Sequence, residues 1–184
     1  MLILHKLLKK ISPDAMKQLS TSQNGVLIVK PRWPYRYVHV SERAYERLIK
    51  AQDFLDKKDI RLIVTRGYEN EGSLLRAGHY VARILGAVLF TLLLPERRNE
   101  VKEIFSPNGH TSGGDCVDVG IAYRGQVIDL LPRGVFTTTA KIASIYDEHR
   151  EVIDAVWNAL AASGFTLHPN KTEAMQIHCE FKGS

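Results

Sequence analysis

The stretch SPNGHTSGGDCVDVGI, residues 106–121, sets one histidine and two aspartates around a run of glycines: His110, Asp115 and Asp118, with Cys116 between the carboxylates. An imidazole and a carboxylate on a tight turn make half of a metal site, and completing it needs a second imidazole from elsewhere. The run MQIHCEF, residues 175–181, offers one. Side chains alternate along a strand, so Met175, Ile177, Cys179 and Phe181 share one face while Gln176, His178 and Glu180 share the other. In CVDVGIAY, residues 116–123, Val117, Val119, Ile121 and Tyr123 form the apolar face, which leaves Cys116 and Asp118 on the opposite one. If the two runs are neighbours in one sheet, His178 and Asp118 converge and His110 can fold back as a third donor. Two imidazoles and one carboxylate suit a Zn²⁺ ion with an open fourth position for water. Taken singly, the same residues also fit a solvent-facing histidine and an aspartate capping a turn.

The elements that must position them can be read from the periodicity. SERAYERLIKAQDFLDKKD (41–59) has Ser41 as an N-cap and Ala44, Leu48, Ala51 and Leu55 at helical spacing. IRLIVT (60–65) is a buried strand stopped by RGYENEG. A helix is predicted over roughly 73–94, with the apolar run ILGAVLFTLLL (84–94) as its buried end, and a short helix near 97–104. Eleven apolar residues are too few to span a bilayer. CVDVGIAY and QVIDLL read as a β-hairpin joined through Arg124-Gly125. DEHREVIDAVWNALAASGF (147–165) is a helix presenting Ile153, Val156, Trp157 and Leu160, stopped by Gly164. MQIHCEF is the last strand. The sum is an α+β fold: one domain over 1–184, a small, mainly antiparallel sheet flanked by helices, with residues 1–40 as a lead-in.

Composition narrows the function. A chain of 184 residues with 45% apolar and 24% charged residues is an ordinary globular domain. Its net charge of +5 is small and spread along the chain, so nucleic acid is not the expected partner. The segment KPRWPYRYVHV (30–40) interleaves Lys30, Arg32 and Arg36 with Trp33, Tyr35 and Tyr37, a pattern that can bind single strands. Its prolines favour an extended lead-in to the next helix instead. Two cysteines, Cys116 and Cys179, form neither a disulfide framework nor a CxxC metal pair. The N-terminus MLILHKLLKKISPD is broken by Lys6, Lys9 and Lys10 and reads as an amphipathic helix ending before Pro13, not as a secretion signal. A cytoplasmic protein is the expectation.

The order of the pieces IRLIVTRGYENEG, HTSGGDCVDVGI, ALAASGF and EAMQIHCEF resembles the zinc D-alanyl-D-alanine peptidase superfamily, which includes carboxypeptidases, dipeptidases and the hedgehog signalling domain. The resemblance covers about residues 45–181. It implies that His110, Asp118 and His178 are zinc ligands in a metallopeptidase acting on a small peptide bond, in D-Ala-containing peptides of the peptidoglycan type. The family pattern spaces the first histidine and the aspartate by seven. Here His110 and Asp118 are eight apart, so one residue of GGD must loop out, and Asp115 is the alternative ligand. Glu173 takes the role of the water-activating glutamate, because Met175 stands three before the last histidine where the peptidases carry it. Glu180, on the strand face of His178, is the alternative base. Glu69 stands where the dipeptidases have the arginine that steadies the substrate carbonyl, and Arg66 is the nearest substitute. A hedgehog-like zinc-containing binding module without peptidase activity is the rival implication, and a basic nucleic-acid-binding protein is the second.

Overall fold

A computed structural model describes residues 16–20, 25–33, 35–68, 73–105, 110, 113–168 and 170–181. The predicted N-terminal helix and Glu69 lie outside them. The element order is β1 (Met16–Leu19), β2 (Ile28–Val29), β3 (Val38–Ser41), α1 (Glu42–Asp56), β4 (Ile60–Arg66), α2 (Ser73–Leu93), a 3₁₀ turn (Pro95–Glu100) and α3 (Val101–Ile104). Then follow β5 (Cys116–Tyr123), β6 (Gln126–Ile128), a 3₁₀ turn (Gly134–Phe136), α4 (Thr139–Ala162), β7 (Phe165–Leu167), α5 (Lys171–Met175) and β8 (His178–Phe181).

Six strands form the main sheet in the order β2-β4-β5-β8-β7, with β6 on β5; β1 and β3 pair separately. The β2–β4 pair is parallel and the other pairs of the sheet are antiparallel, so the α+β expectation holds. One face of the sheet is dry. Leu62 and Val64 of β4 and Val117, Val119 and Ile121 of β5 join Leu48, Ala51 and Leu55 of α1 and Ile153, Val156 and Leu160 of α4 in one core. Helices α1 and α4 bury the stripes their sequence spacing predicts, save that Trp157 is only partly buried, and burial of each such large aliphatic side chain contributes roughly 1.5–3 kcal/mol.

Helix α1 starts at the predicted cap, with Ser41 Oγ accepting from the Ala44 amide at 3.0 Å. It ends above Gln52, a buried side chain that accepts from the Leu62 amide at 2.7 Å and donates to the Ile60 carbonyl at 2.8 Å. Those bonds tie the helix to the start of β4. Helix α4 begins at Thr139, eight residues before the predicted start, because Thr138 caps it and the chain passes through a non-helical residue, His149, without leaving the helix. Gly164 stops it with φ +94°.

Two further expectations fail. The last strand is shorter than predicted: Met175 ends α5, Gln176 and Ile177 form a turn, and β8 begins only at His178. The side-chain faces nevertheless come out as the alternation requires, with Met175, Ile177 and Cys179 in the core. The second failure is the buried end of α2. Of the run 84–94 only Phe90 and Leu94 are buried, and six of its large apolar side chains lie between 48% and 71% exposed. Phe90 and Leu94 belong to a separate small core with Ile104, where Phe90 meets Phe105 edge-on at 5.7 Å and Phe136 at 6.0 Å. Helix α2 therefore packs on the short helices after it and turns the rest of its apolar surface outward.

Candidate metal centre

The face of the sheet opposite the main core carries the predicted site. Strands β5 and β8 are direct neighbours, and their register places Asp118 against His178. His178 Nδ1 lies 2.7 Å from Asp118 Oδ1, and His110 Nε2 lies 3.2 Å from the same oxygen. The two imidazoles meet edge to face with centroids 4.9 Å apart. All three side chains are buried, at 1% exposure for His110, 3% for Asp118 and 8% for His178. One potential ligand atom from each lies within 4.8 Å of the others, a separation at which a single cation can be held by all three.

Two consecutive glycines turn the chain between His110 and Asp118. Gly113 (φ +70°) and Gly114 (φ +75°) both adopt the left-handed conformation. A Cβ on Gly114 would come within 2.9 Å of the Ser41 amide, which donates to the Gly114 carbonyl. The turn is thus pinned against the start of α1. Asp115 is consumed by the same anchor, since its carboxylate accepts from the Ser41 hydroxyl. Asp115 stands outside the triad, and Asp118 is the carboxylate within it.

Arg66 reaches the site through an irregularity. Ile60, Leu62 and Val64 face the core, so strict alternation would send Arg66 there too. A register shift between Val64 and Arg66 pairs Arg66 with Asp118 instead, and the guanidinium comes to 3.9 Å from Asp118 Oδ2. Bulges of this kind re-aim a side chain next to a site. Gly67 follows, where a Cβ would stand 2.2 Å from the His39 carbonyl, so no larger residue fits the crossing of β3 and β4.

Glu173 lies on a helix of five residues. It sits in α5, capped by Asn170, whose side-chain oxygen accepts from the amides of Thr172 at 2.9 Å and Glu173 at 3.3 Å. Its carboxyl is 4% exposed. Burial raises its pKa; the His178 charge works against that rise, the Asp118 charge adds to it and Arg66 lowers it again. A buried carboxyl with a raised pKa that senses two of the three triad members suits a proton acceptor and donor. Glu180 pairs across the sheet with Cys116 and Thr166, further along β8.

Electrostatics of the triad follow from its burial. Desolvation opposes ionisation of Asp118, but the hydrogen bonds and charges of His110 and His178 outweigh it and hold its carboxyl well below the usual range. Burial likewise disfavours a charged His178, yet the hydrogen bonds with Asp118 and Cys116 prevail and push its pKa up. Without a cation the site is a carboxylate held between imidazoles. His110 presents Nε2 to Asp118, and its Nδ1, on the other side of the ring, is buried with no hydrogen-bond partner among the described residues. The donor set and its convergence fit a divalent metal, so the group can hold a metal ion.

Several functional neighbours were invisible in the sequence pattern. Gln176 donates to Asp118 Oδ2 at 3.3 Å, and Thr65 Oγ1 donates to the Asp118 carbonyl at 3.1 Å. The ring of His168 lies 6.0 Å from that of His178; the pairing of Leu167 with Cys179 would have flagged it, had the short β7 been recognised. Ile177 holds φ +51°, unusual for a β-branched residue, immediately before His178. Arg97 is 3% exposed and binds Glu100 through Nε at 2.9 Å and Nη2 at 2.8 Å, the Thr137 carbonyl at 2.6 Å, and the Thr172 hydroxyl. That network holds α5, and with it Glu173, against the end of α2.

No family model matches the chain, and no curated protein is similar to it at a significant level.

Proposed function

We propose that the protein is a zinc-dependent peptidase that hydrolyses a small peptide bond. The observation that carries this reading is one buried carboxyl, Glu173, beside a convergent His110–Asp118–His178 triad. Two imidazoles and a carboxylate serve zinc hydrolases and ferrous oxygenases alike. A buried proton acceptor at the triad is what hydrolysis requires, and the motif order across residues 45–181 points the same way.

Bound by His110, Asp118 and His178, zinc would supply Lewis-acid polarisation of the scissile carbonyl and acidify water. Glu173 takes one proton from the attacking water as the C–O bond forms. It returns that proton to the nitrogen as the C–N bond breaks, so the leaving group departs as a neutral amine. Arg66, on the flank of Asp118, steadies the carbonyl oxygen or a substrate carboxylate. Gln176 fixes the orientation of Asp118, as outer partners of metal ligands do.

A cavity of about 600 Å³ reaches Thr65 and Gln176, two of the residues bonded to Asp118, while His110, Asp118, His178 and Glu173 are not in its lining. Its walls are apolar at Ile128, Leu131 and Phe136, and Lys30, Arg32 and Arg133 stand around it against the single acid Asp129. That balance suits a peptide carrying carboxylates, as peptidoglycan stem peptides and D-Ala-D-Ala do. The segment 30–37, with Trp33 90% exposed, leads along β4 toward this cavity, where the Lys30 and Arg32 amides bond the Val64 and Thr65 carbonyls.

The test is cleavage of D-Ala-D-Ala and a panel of stem peptides by zinc-loaded protein, each beside its Glu173→Gln variant. Turnover by wild type that Glu173→Gln removes supports the peptidase. Zinc-loaded wild type that cleaves none of the panel gives the lead to a hedgehog-like binding module.

A further inference from the structure

Helix α2 presents two parallel rows of exposed apolar side chains. One row is Tyr80, Ile84, Val88 and Leu92, and the other is Val81, Leu85, Leu89 and Leu93, each at least 48% exposed. Monomeric proteins rarely leave so contiguous an apolar surface in water. We propose that this face is the interface of a homodimer, in which α2 packs against α2 of a second copy about a two-fold axis.

Three observations favour a second copy as the occupant. The first is area. Eight contiguous large side chains, each 48% to 71% exposed, make a patch larger than the few hundred Å² a monomer ordinarily leaves in water and of the order of the roughly 800 Å² per partner that a stable interface buries. The second is charge. Between Tyr80 and Leu94 the sole ionisable group besides the tyrosine is Arg83, and its spacing puts it in the stripe of Ala87, Phe90 and Leu94, which faces the protein's own small core. Two copies can therefore close face to face without burying an unpaired charge. An amphipathic helix that lies on a membrane borders its apolar face with lysine or arginine, and this stretch carries no such border. The third is polar satisfaction. Of the two hydroxyls in the face, that of Thr91 donates to the Ala87 carbonyl of its own helix at 2.8 Å, so closure leaves it bonded, and that of Tyr80 stands at the end of its row, at the edge of the face.

The geometry is self-complementary. Rows four residues apart are the ridges that interlock when like helices cross at about −50°. In a two-fold interface each contact occurs twice, so a row of one copy seated in the groove between the rows of the other is matched by the reciprocal contact. The midpoint of the face falls at Leu85, Val88 and Leu89, which sit nearest the axis.

Sedimentation equilibrium of the full chain at micromolar concentration tests the proposal. The expected mass is twice the 20.8 kDa of one chain. Leu85→Glu with Leu89→Glu should halve that mass while leaving circular dichroism and metal content unchanged. As a second arm that tolerates a poorly folding variant, Leu89→Cys should cross-link two copies under mild oxidation. Phe54→Cys, an exposed apolar position on α1, should not. A monomeric wild type, or a dimer that survives the double substitution in folded protein, overturns the proposal. A monomer that floats with vesicles of anionic phospholipid would assign the face to a membrane instead.

Discussion

The two faces of β5 are almost equally buried and chemically opposite. Val117, Val119 and Ile121 enter a dry core closed by α1 and α4, whereas Cys116 and Asp118 enter a polar cluster with two imidazoles. On the first face burial is itself the stabilising term. On the second it is a cost, because a carboxylate removed from water must recover its solvation from partners. Asp118 recovers it from His110, His178, Gln176 and Arg66. One strand thus supplies both the scaffold and the site, and a substitution on either face should damage one and spare the other.

Removing a ligand should show the largest effect. His178→Ala is expected to take bound zinc from about one per chain to none, measured by metal analysis of protein purified without chelator, while the fold persists. Zinc retained in full by both His178→Ala and His110→Ala would erase the distinction between the faces. Glu173→Gln comes next, with turnover expected to fall about 10²–10⁴-fold and zinc content unchanged. Glu180→Gln should alter the rate far less, since Glu180 lies further along β8. The core face gives the converse result: Ile121→Ala should lower stability by roughly 2–5 kcal/mol in denaturant titration and leave zinc stoichiometry intact. Gln176→Ala should weaken zinc binding by about 10–100-fold through the loosened Asp118 carboxylate.

The pH dependence sharpens the same contrast. His178 has its folded pKa pushed up to about 10, against roughly 6.5 unfolded, with the imidazolium held by Asp118. A raised pKa gives stability that is fully present below the unfolded value and is lost as pH rises through the folded one. Metal-free protein should therefore lose stability between about pH 6.5 and about 10. Zinc affinity should rise over that interval as the competing proton leaves. Thermal melts with and without zinc check both slopes, and parallel slopes would show that His178 is not a ligand.

The convergence of Asp118 and His178 was legible because strand alternation is a strict code: once Val117, Val119 and Cys179 face the core, Asp118 and His178 must share the opposite face. The left-handed pair Gly113 and Gly114 was legible as a turn for similar reasons. The route of Arg66 into the site was not, since a bulge breaks the alternation that prediction relies on. Nor was the seat of Glu173, because a helix of five residues held by Asn170 and the Arg97 network owes its existence to tertiary contacts rather than to periodicity. The α2 run misled for a physical reason. Hydropathy reports what must leave water, and it does not say whether the covering surface comes from the same chain.

The central claim is that Asp118, on the polar face of β5, completes a metal site that its neighbour Asp115 does not share. Zinc titration against a competing chelator, run on Asp118→Asn and Asp115→Asn beside wild type, tests it most directly. Near-complete loss of binding is expected in Asp118→Asn, with an affinity close to wild type in Asp115→Asn. The reverse order, or equal affinity in all three proteins, would contradict it.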